Sequence, residues 1–137
     1  MSKNIKLLIC GGRHFDDYST LEAQVKTILS EHSLRYEDIE IVSGHCEGAD
    51  CLGERFATEH GIPVKLFSAD WRKYGRAAGA IRNKQMVDYI SDFPNSIVLG
   101  FVSVNSKGTK NTIKQARAKG ILTVEIPYSP SEVVNDG

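Results

Sequence analysis

The amino-acid sequence predicts an α/β fold, a doubly wound parallel sheet of about five strands in the order 3-2-1-4-5 with helices on both faces. Apolar runs of strand length alternate along the chain with stretches of helical period, which favours parallel strands joined by crossover helices. The first run, residues 5–10, is almost continuously apolar, as is typical of a strand buried on both faces. It ends at Gly11 and Gly12, where a turn is expected.

A helix and a second strand–helix pair follow. Ser19 followed by Glu22 forms a capping box, and apolar residues then recur on one face as far as His32, so a first helix is predicted there. Residues 39–43 form the second apolar run, and residues 50–59 have helical period again.

The rest of the chain repeats the alternation around one irregular segment. Gly61 is typical of a helix end, and the third strand is predicted at residues 64–67. Residues 68–79 show neither the helical nor the strand spacing of apolar residues, and a helix is expected near residues 80–90. The remaining predicted elements are a strand at 96–102, a helix at 109–119 and a strand at 121–126.

Length and composition predict one globular domain. The chain has 137 residues, of which 41% are hydrophobic and 25% charged, and this size supports one core. We expect a single domain at residues 1–128 and a flexible C-terminal tail at residues 129–137. No apolar run is long enough for a membrane span or a signal peptide. The three cysteines show no disulfide pattern, which suits a reducing compartment. A cytoplasmic protein is therefore expected.

The charges argue against a global cationic surface. Seventeen Lys and Arg residues balance seventeen Asp and Glu residues, so the formal net charge is zero. Such a chain has no overall field that attracts nucleic acid or anionic lipid, and neither is an expected partner. Any anion-binding site must therefore be formed locally.

Ligands of doubly wound folds bind beyond the carboxyl ends of the strands, where the strand order reverses. The loops selected by this rule are residues 11–15, 43–50 and 102–109. In the first loop, Gly11 and Gly12 either serve turn geometry or let a ligand approach the backbone. Arg13 either binds a phosphate or carboxylate through its planar set of donors or forms a structural ion pair.

The second loop carries Ser43, Gly44 and Gly48 ahead of a helix, so free N–H groups and the positive end of the helix dipole point at an anion. It is not a P-loop, because no Gly-Lys-Ser/Thr follows. Asp50 either caps the helix or accepts a hydrogen bond from a ribose hydroxyl. The nearby histidines and cysteines match no zinc-ligand spacing, so no metal and no other cofactor is predicted.

The third loop and the irregular segment add further candidates. Gly108 and Thr109 open a helix, where Thr109 either helps to bind a phosphate or acts as a plain cap. Trp71 either stacks on a base or packs over the sheet edge. Arg82 and Asn83, at a helix start facing the same crevice, are expected to contact the ligand.

Four segments carry a further pattern. They are Gly-Gly-Arg-His-Phe at 11–15, Ser-Gly-x-x-x-Gly-Ala-Asp at 43–50, Ala-Asp-Trp-x-x-Tyr-Gly-x-x-Ala-Gly-x-x-Arg-Asn-x-x-Met at 69–86 and Gly-Thr-x-Asn at 108–111. In these segments the chain resembles the YspA-like branch of the SLOG superfamily, named for the Smf/DprA DNA-processing proteins and the LOG phosphoribohydrolases. The resemblance, which covers residues 7–124, implies a Rossmann-like domain that forms homo-oligomers and binds nucleotides or nucleotide-derived signals at this crevice.

The resemblance also implies residue roles. Residues that it places in a phosphate and ribose site are Gly12, Arg13, Ser43, Gly44, Gly108 and Thr109. Residues that it places on a facing, arginine-bearing helix are Arg82, Asn83 and Met86. The LOG hydrolases carry a glutamate where this chain has Thr112, so the acid that would assist cleavage of an N-glycosidic bond is absent from that position. His45 replaces a glycine usual in the second segment, which would narrow the pocket or add a donor.

These observations predict a module that binds a nucleoside phosphate or an ADP-ribose-like signal, as a sensor or a sequestering protein. An alternative is a LOG-type nucleotide N-glycosidase or phosphoribohydrolase, and Thr112 leaves the enzyme question open and the catalytic residues unassigned. A further alternative is single-stranded DNA binding of the DprA type, in which the basic residues between Arg72 and Lys84 follow the backbone and nearby aromatic rings stack on bases.

Overall fold

The computed structural model describes residues 4–129, which form one parallel sheet with helices on both faces. The strands are β1 (Ile5–Gly11), β2 (Ile39–Ser43), β3 (Val64–Leu66), β4 (Ile97–Val102) and β5 (Leu122–Pro127). The helices are α1 (Tyr18–Glu31), α2 (Ala49–His60), α3 (Trp71–Tyr74), α4 (Ala78–Ser91) and α5 (Lys107–Ala118). The strand order is β3-β2-β1-β4-β5 and every pair is parallel, so the predicted fold class is confirmed.

Strand β1 lies at the centre of the sheet and divides two hydrophobic cores. Ile5, Leu7 and Ile9 pack in the core that contains the apolar faces of α1 and α2. Leu8 and Cys10 point to the other side, into the core formed with α4 and α5. Because both faces of β1 are covered, its apolar run is continuous rather than alternating, as the sequence analysis predicted.

The start of α1 differs from the prediction. Asp17 is the N-cap: its Oδ1 accepts hydrogen bonds from the Thr20 backbone N–H at 3.1 Å and from the Ser19 hydroxyl at 3.0 Å. Ser19 therefore lies inside the helix, and the predicted capping box with Glu22 is wrong. Asp and Ser are both strong N-cap residues, so spacing alone did not identify the one that caps.

The segment at residues 68–79 is more regular than predicted. It contains the short helix α3 and a 3₁₀ turn at Gly75–Ala77. The Asp70 side chain caps α3 by accepting from the Lys73 backbone N–H at 3.1 Å. A four-residue helix is too short to show a hydrophobic period, and the sequence pattern therefore missed it.

The chain remains attached to the sheet beyond β5. The Tyr128 backbone N–H donates to the Val102 carbonyl oxygen at 2.8 Å, which continues the pairing of β4 with β5. The predicted tail at residues 129–137 lies outside the described residues, apart from Ser129. Within the described part of the chain, every helix is too short or too polar to cross a bilayer.

Replacing Gly11 by alanine tests the packing at the end of β1. A Cβ at this position would lie 2.6 Å from the Ala49 Cβ and 2.9 Å from the Phe101 carbonyl oxygen, so either α2 or β4 must shift. We expect Gly11→Ala to lower the free energy of unfolding by about 1–3 kcal/mol in denaturant titrations. Gly108→Ala is the matched control, because its Cβ would meet nothing closer than the Asn83 Nδ2 at 3.7 Å. Equal stability of the two variants would contradict this packing.

Candidate functional site

A cleft of about 530 Å³ opens at the carboxyl edge of the sheet, next to the point where the strand order reverses between β1 and β4. Its walls come from the loop after β1, the start of α2, the first turns of α4 and the loop that joins β4 to α5. A volume of this size is typical of small-molecule sites.

Most of the residues selected from the sequence meet in this cleft. Those that line it are Gly11, Gly12, Arg13, Asp50, Trp71, Arg82, Asn83, Gly108 and Thr109. Those that do not line it are Ser43, Gly44 and Gly48. The loop after β2 therefore supports the cleft more than it forms the cleft's surface.

Arg82 joins helix α4 to the loop after β2. Its side chain is almost fully buried; Nη1 donates to the Gly44 carbonyl oxygen at 2.6 Å, and Nε donates to the Asn83 Oδ1 at 2.8 Å. The Cys46 Sγ lies 3.4 Å from the same Nη1. Arg82 thus brings a fixed positive charge to the cleft wall, while two of its nitrogens, Nε and Nη1, donate hydrogen bonds within the protein.

Asp50 is a buried carboxyl group in the cleft. Gly48 is the N-cap of α2, so the interpretation of Asp50 as a cap is wrong; its Oδ2 instead accepts from the Cys46 backbone N–H at 3.3 Å. Burial raises the pKa of Asp50 to about 7, and the nearby positive charge of Arg82 only partly opposes this rise. The carboxyl group therefore changes between its neutral and its charged form near pH 7.

Ser43 and His45 face helix α2 rather than the cleft. The Ser43 hydroxyl donates to the Glu54 Oε2 at 2.7 Å and accepts from the His45 backbone N–H at 3.1 Å. The His45 Nδ1 lies 3.1 Å from both Glu54 carboxylate oxygens. His45 has a φ of 57°, in the left-handed region that favours glycine. The expectation that its side chain narrows the pocket or adds a donor to it is wrong, because the side chain points to Glu54 and does not line the cleft.

Gly48 brings the second loop against the first. Its φ is 83°, and a Cβ there would overlap the Gly12 carbonyl oxygen and lie 2.8 Å from the Arg13 carbonyl carbon. The Ala49 backbone N–H points at the same Gly12 oxygen, 3.5 Å away. This close approach places the start of α2 beside the loop after β1.

Helix α5 begins at Lys107, two residues earlier than predicted, and Ser106 is its N-cap. Thr109 therefore lies within the first turn, and the interpretation of Thr109 as a plain cap is wrong. The Ser106 Oγ accepts from the Ser103 backbone N–H at 2.9 Å, and within residues 4–129 no side chain caps the helix. The first-turn N–H groups of α5 are thus left for a ligand in the cleft.

Two exposed side chains stand at the mouth of the cleft. Arg13 forms no ion pair with any residue between 4 and 129, so the structural ion pair considered from the sequence is not formed there. Trp71 is 51% exposed and lies over Gly79, where a Cβ would be 3.6 Å from its Cη2. It belongs to neither hydrophobic core of the described residues, which does not support packing over the sheet edge.

Sequence reasoning missed Cys46, Ser106 and Tyr128, which also line the cleft. Ser106 precedes the position where α5 was expected to begin, and Tyr128 follows the last predicted strand. Thr112 lines the cleft as well, and its hydroxyl donates to the Gly108 carbonyl oxygen at 3.1 Å inside α5. The contact of Cys46 with Arg82 has no sequence signal, because 36 residues separate the two.

A possible metal-binding group lies away from the cleft. Among the described residues, Glu22, Glu59 and His60 place ligand atoms within 4.8 Å of one another. Glu59 is already bonded, since its oxygens accept from the Tyr18 hydroxyl at 2.6 Å and from the Arg55 Nε at 3.0 Å. The predicted absence of a metal stays a prediction.

Comparison with known proteins agrees with the resemblance of the motifs. The model of the YspA, cpYpsA-related SLOG family (YAcAr) matches residues 5–74, just over half of the chain. This chain belongs to that SLOG family. It is also similar to Gene 61 protein of Mycobacterium phage D29, with 30% identity over 130 residues that cover 91% of this chain and 98% of that protein. No solved structure matches the chain.

The segment matched by the family model contains only part of the residues that line the cleft. It includes the loops after β1 and β2 as well as Trp71, and it ends before Arg82 and the loop that opens α5. The similarity to Gene 61 protein extends along nearly the whole SLOG chain.

Asp50 makes folding stability depend on pH. Its pKa is about 7 in the fold against an ordinary value of 3.8, so the folded state keeps this proton to a higher pH than the unfolded state. The free energy of unfolding therefore falls as the pH rises between these two values and then levels off. Asp50→Asn removes this dependence. We compare the free energies of unfolding of Asp50→Asn and the wild type at each pH. The difference, variant minus wild type, should become more positive by about 2 kcal/mol from pH 5 to pH 8.

Urea titrations of both proteins at several pH values measure this difference. The other titrating groups are common to both proteins, so most of their contributions cancel. A difference that does not change with pH would contradict a burial-shifted carboxyl group at this position.

Proposed function

We propose that this SLOG-family protein binds a nucleotide or nucleotide-derived ligand, a nucleoside phosphate or an ADP-ribose-like signal, in the cleft at the carboxyl edge of the sheet. In this proposal the protein is a sensor or a sequestering module. The single observation that carries it is the uncapped first turn of α5, which opens into the same cleft as Arg13, Arg82 and Trp71.

The phosphate end of the ligand lies at α5 in this proposal. The first-turn N–H groups and the positive end of the helix dipole favour an anion there. Arg13 adds an exposed guanidinium from the loop after β1, and Arg82 adds a buried positive charge. Because the formal net charge of the chain is zero, this local group of donors supplies the attraction for phosphate.

The base end of the ligand lies at Trp71. An exposed indole at the rim of a cleft offers a flat face on which a purine or pyrimidine stacks, a contact worth about 1–3 kcal/mol. Trp71 is the only tryptophan in the chain, so its fluorescence reports on this contact directly. The predicted homo-oligomer, cytoplasmic location and lack of nucleic-acid binding remain predictions beside this proposal.

Calorimetric and fluorescence titrations test binding. The probes are AMP, GMP, CMP, UMP, NAD⁺ and ADP-ribose, and at least one is expected to release heat and to change the Trp71 emission. Arg13→Ala should weaken that probe about tenfold, because it removes a charge-assisted donor without breaking a protein contact.

The matched control is Arg117→Ala, an exposed arginine in the last turn of α5, far from the cleft. It should bind the probe as the wild type does. The absence of heat and of a fluorescence change with every probe would refute the proposed function.

A second candidate function, cleavage of the N-glycosidic bond, is favoured by Asp50. The position used by LOG hydrolases holds Thr112, but Asp50 brings a carboxyl group to the same cleft. Its pKa of about 7 suits a general acid at neutral pH. In this reaction, the C1′–N bond breaks as water attacks C1′, and Asp50 donates its proton to the departing base. The proton that the attacking water loses then restores the acid form of Asp50.

Release of free base from the four monophosphates tests this second candidate. Chromatography after long incubation should detect the base with the wild type, and Asp50→Asn should reduce the rate at least about a hundredfold if the acid is essential. Binding without turnover would support a binding module and contradict the hydrolase.

A further inference from the structure

The strongest unassigned feature of the cleft is Tyr128, which follows the last strand. Its backbone is held by the hydrogen bond to Val102, and its ring packs edge-on against Phe15 with the ring centroids 5.0 Å apart. Phe15 in turn stacks on Phe101 at 4.3 Å. The phenol is therefore held in place by the core behind it.

The Tyr128 hydroxyl lies over Gly12. A Cβ at Gly12 would overlap the Tyr128 Oη and lie 3.0 Å from the Ser106 Oγ. The missing side chain at Gly12 thus makes room for this hydroxyl, next to the N-cap of α5. Besides turn geometry and the approach of a ligand, the neighbouring phenol is a third reason for glycine at position 12.

Tyr128 lines two cavities. It lines the main cleft and a second cavity of about 320 Å³, whose lining also includes Phe15, Asp16 and Asp17. The lining of the second cavity includes two acidic side chains, whereas that of the main cleft includes Arg13 and Arg82, so an anion is favoured in the main cleft. Within residues 4–129 the hydroxyl has no protein hydrogen-bond partner.

We propose that the Tyr128 hydroxyl binds the phosphate of the ligand, together with the first-turn N–H groups of α5. This inference rests on the proposed function and adds a residue and an orientation to it. A phenol O–H donates to a phosphate oxygen without carrying charge of its own. The segment after β5 thereby becomes part of the binding site.

Removal of one oxygen atom tests the inference. Wild type, Tyr128→Phe and the control Tyr36→Phe are titrated by calorimetry with the nucleoside monophosphate that the wild type binds most tightly, and with the corresponding nucleoside. Tyr36 packs near Phe56 and His60, away from the cleft. Tyr128→Phe should weaken the monophosphate about tenfold or more and the nucleoside by less than about twofold, because a hydrogen bond to a charged group is lost.

The position of the hydroxyl is tested without any ligand. Gly12→Ala should lower the melting temperature because its Cβ meets the Tyr128 oxygen, and the loss should be smaller in the Tyr128→Phe background. Equal losses in both backgrounds would overturn the inference.

The failures of the two proposals are distinguishable. If the wild type binds a monophosphate and Tyr128→Phe binds it equally well, or loses monophosphate and nucleoside alike, the role of Tyr128 is wrong and the proposed function stands. If the wild type binds none of the probes, both proposals are overturned.

Discussion

The lack of space at the carboxyl end of β1 is the constraint on which the rest of the site depends. Gly11 packs against Ala49 and the Phe101 carbonyl oxygen, and Gly48 packs against the backbone of Gly12. These approaches leave no room for a side chain, so the start of α2 comes close to the end of the central strand. The start of α5 comes close at the next residue, because a Cβ at Gly12 would lie 3.0 Å from the Ser106 Oγ. A larger residue at Gly11 or Gly48 would push the loops apart.

The electrostatics of the cleft follow from this packing. The buried Arg82 donates a hydrogen bond to the Gly44 carbonyl oxygen, and its positive charge acts to lower the pKa of the nearby Asp50. Burial nevertheless raises the pKa of Asp50, so part of the Asp50 population is neutral near pH 7 and offsets Arg82 less than a full carboxylate would. The cleft of this SLOG protein thus combines a fixed positive charge with a carboxyl group whose charge changes near neutral pH.

The loop after β2 has a supporting role. Its hydroxyl at Ser43 and its imidazole at His45 both reach Glu54 on α2, so they hold the loop against the helix. Its contribution to the cleft surface comes from Cys46 and from Asp50 at the start of α2. A polar residue in a glycine-rich loop therefore does not by itself indicate contact with a ligand.

The sequence by itself determined the sheet, its strand order and the edge where the cleft lies. These follow from local periodicity and from the rule that parallel strands need crossover helices, so residues near in sequence carry the signal. Only the tertiary structure decided which side chains face the cleft. Ser43 and Arg82 were both predicted to contact the ligand, but Ser43 bonds to α2 whereas Arg82 reaches across to Gly44. Tyr128 enters the site from a strand end distant in sequence from Gly12, and no local pattern encodes such a contact.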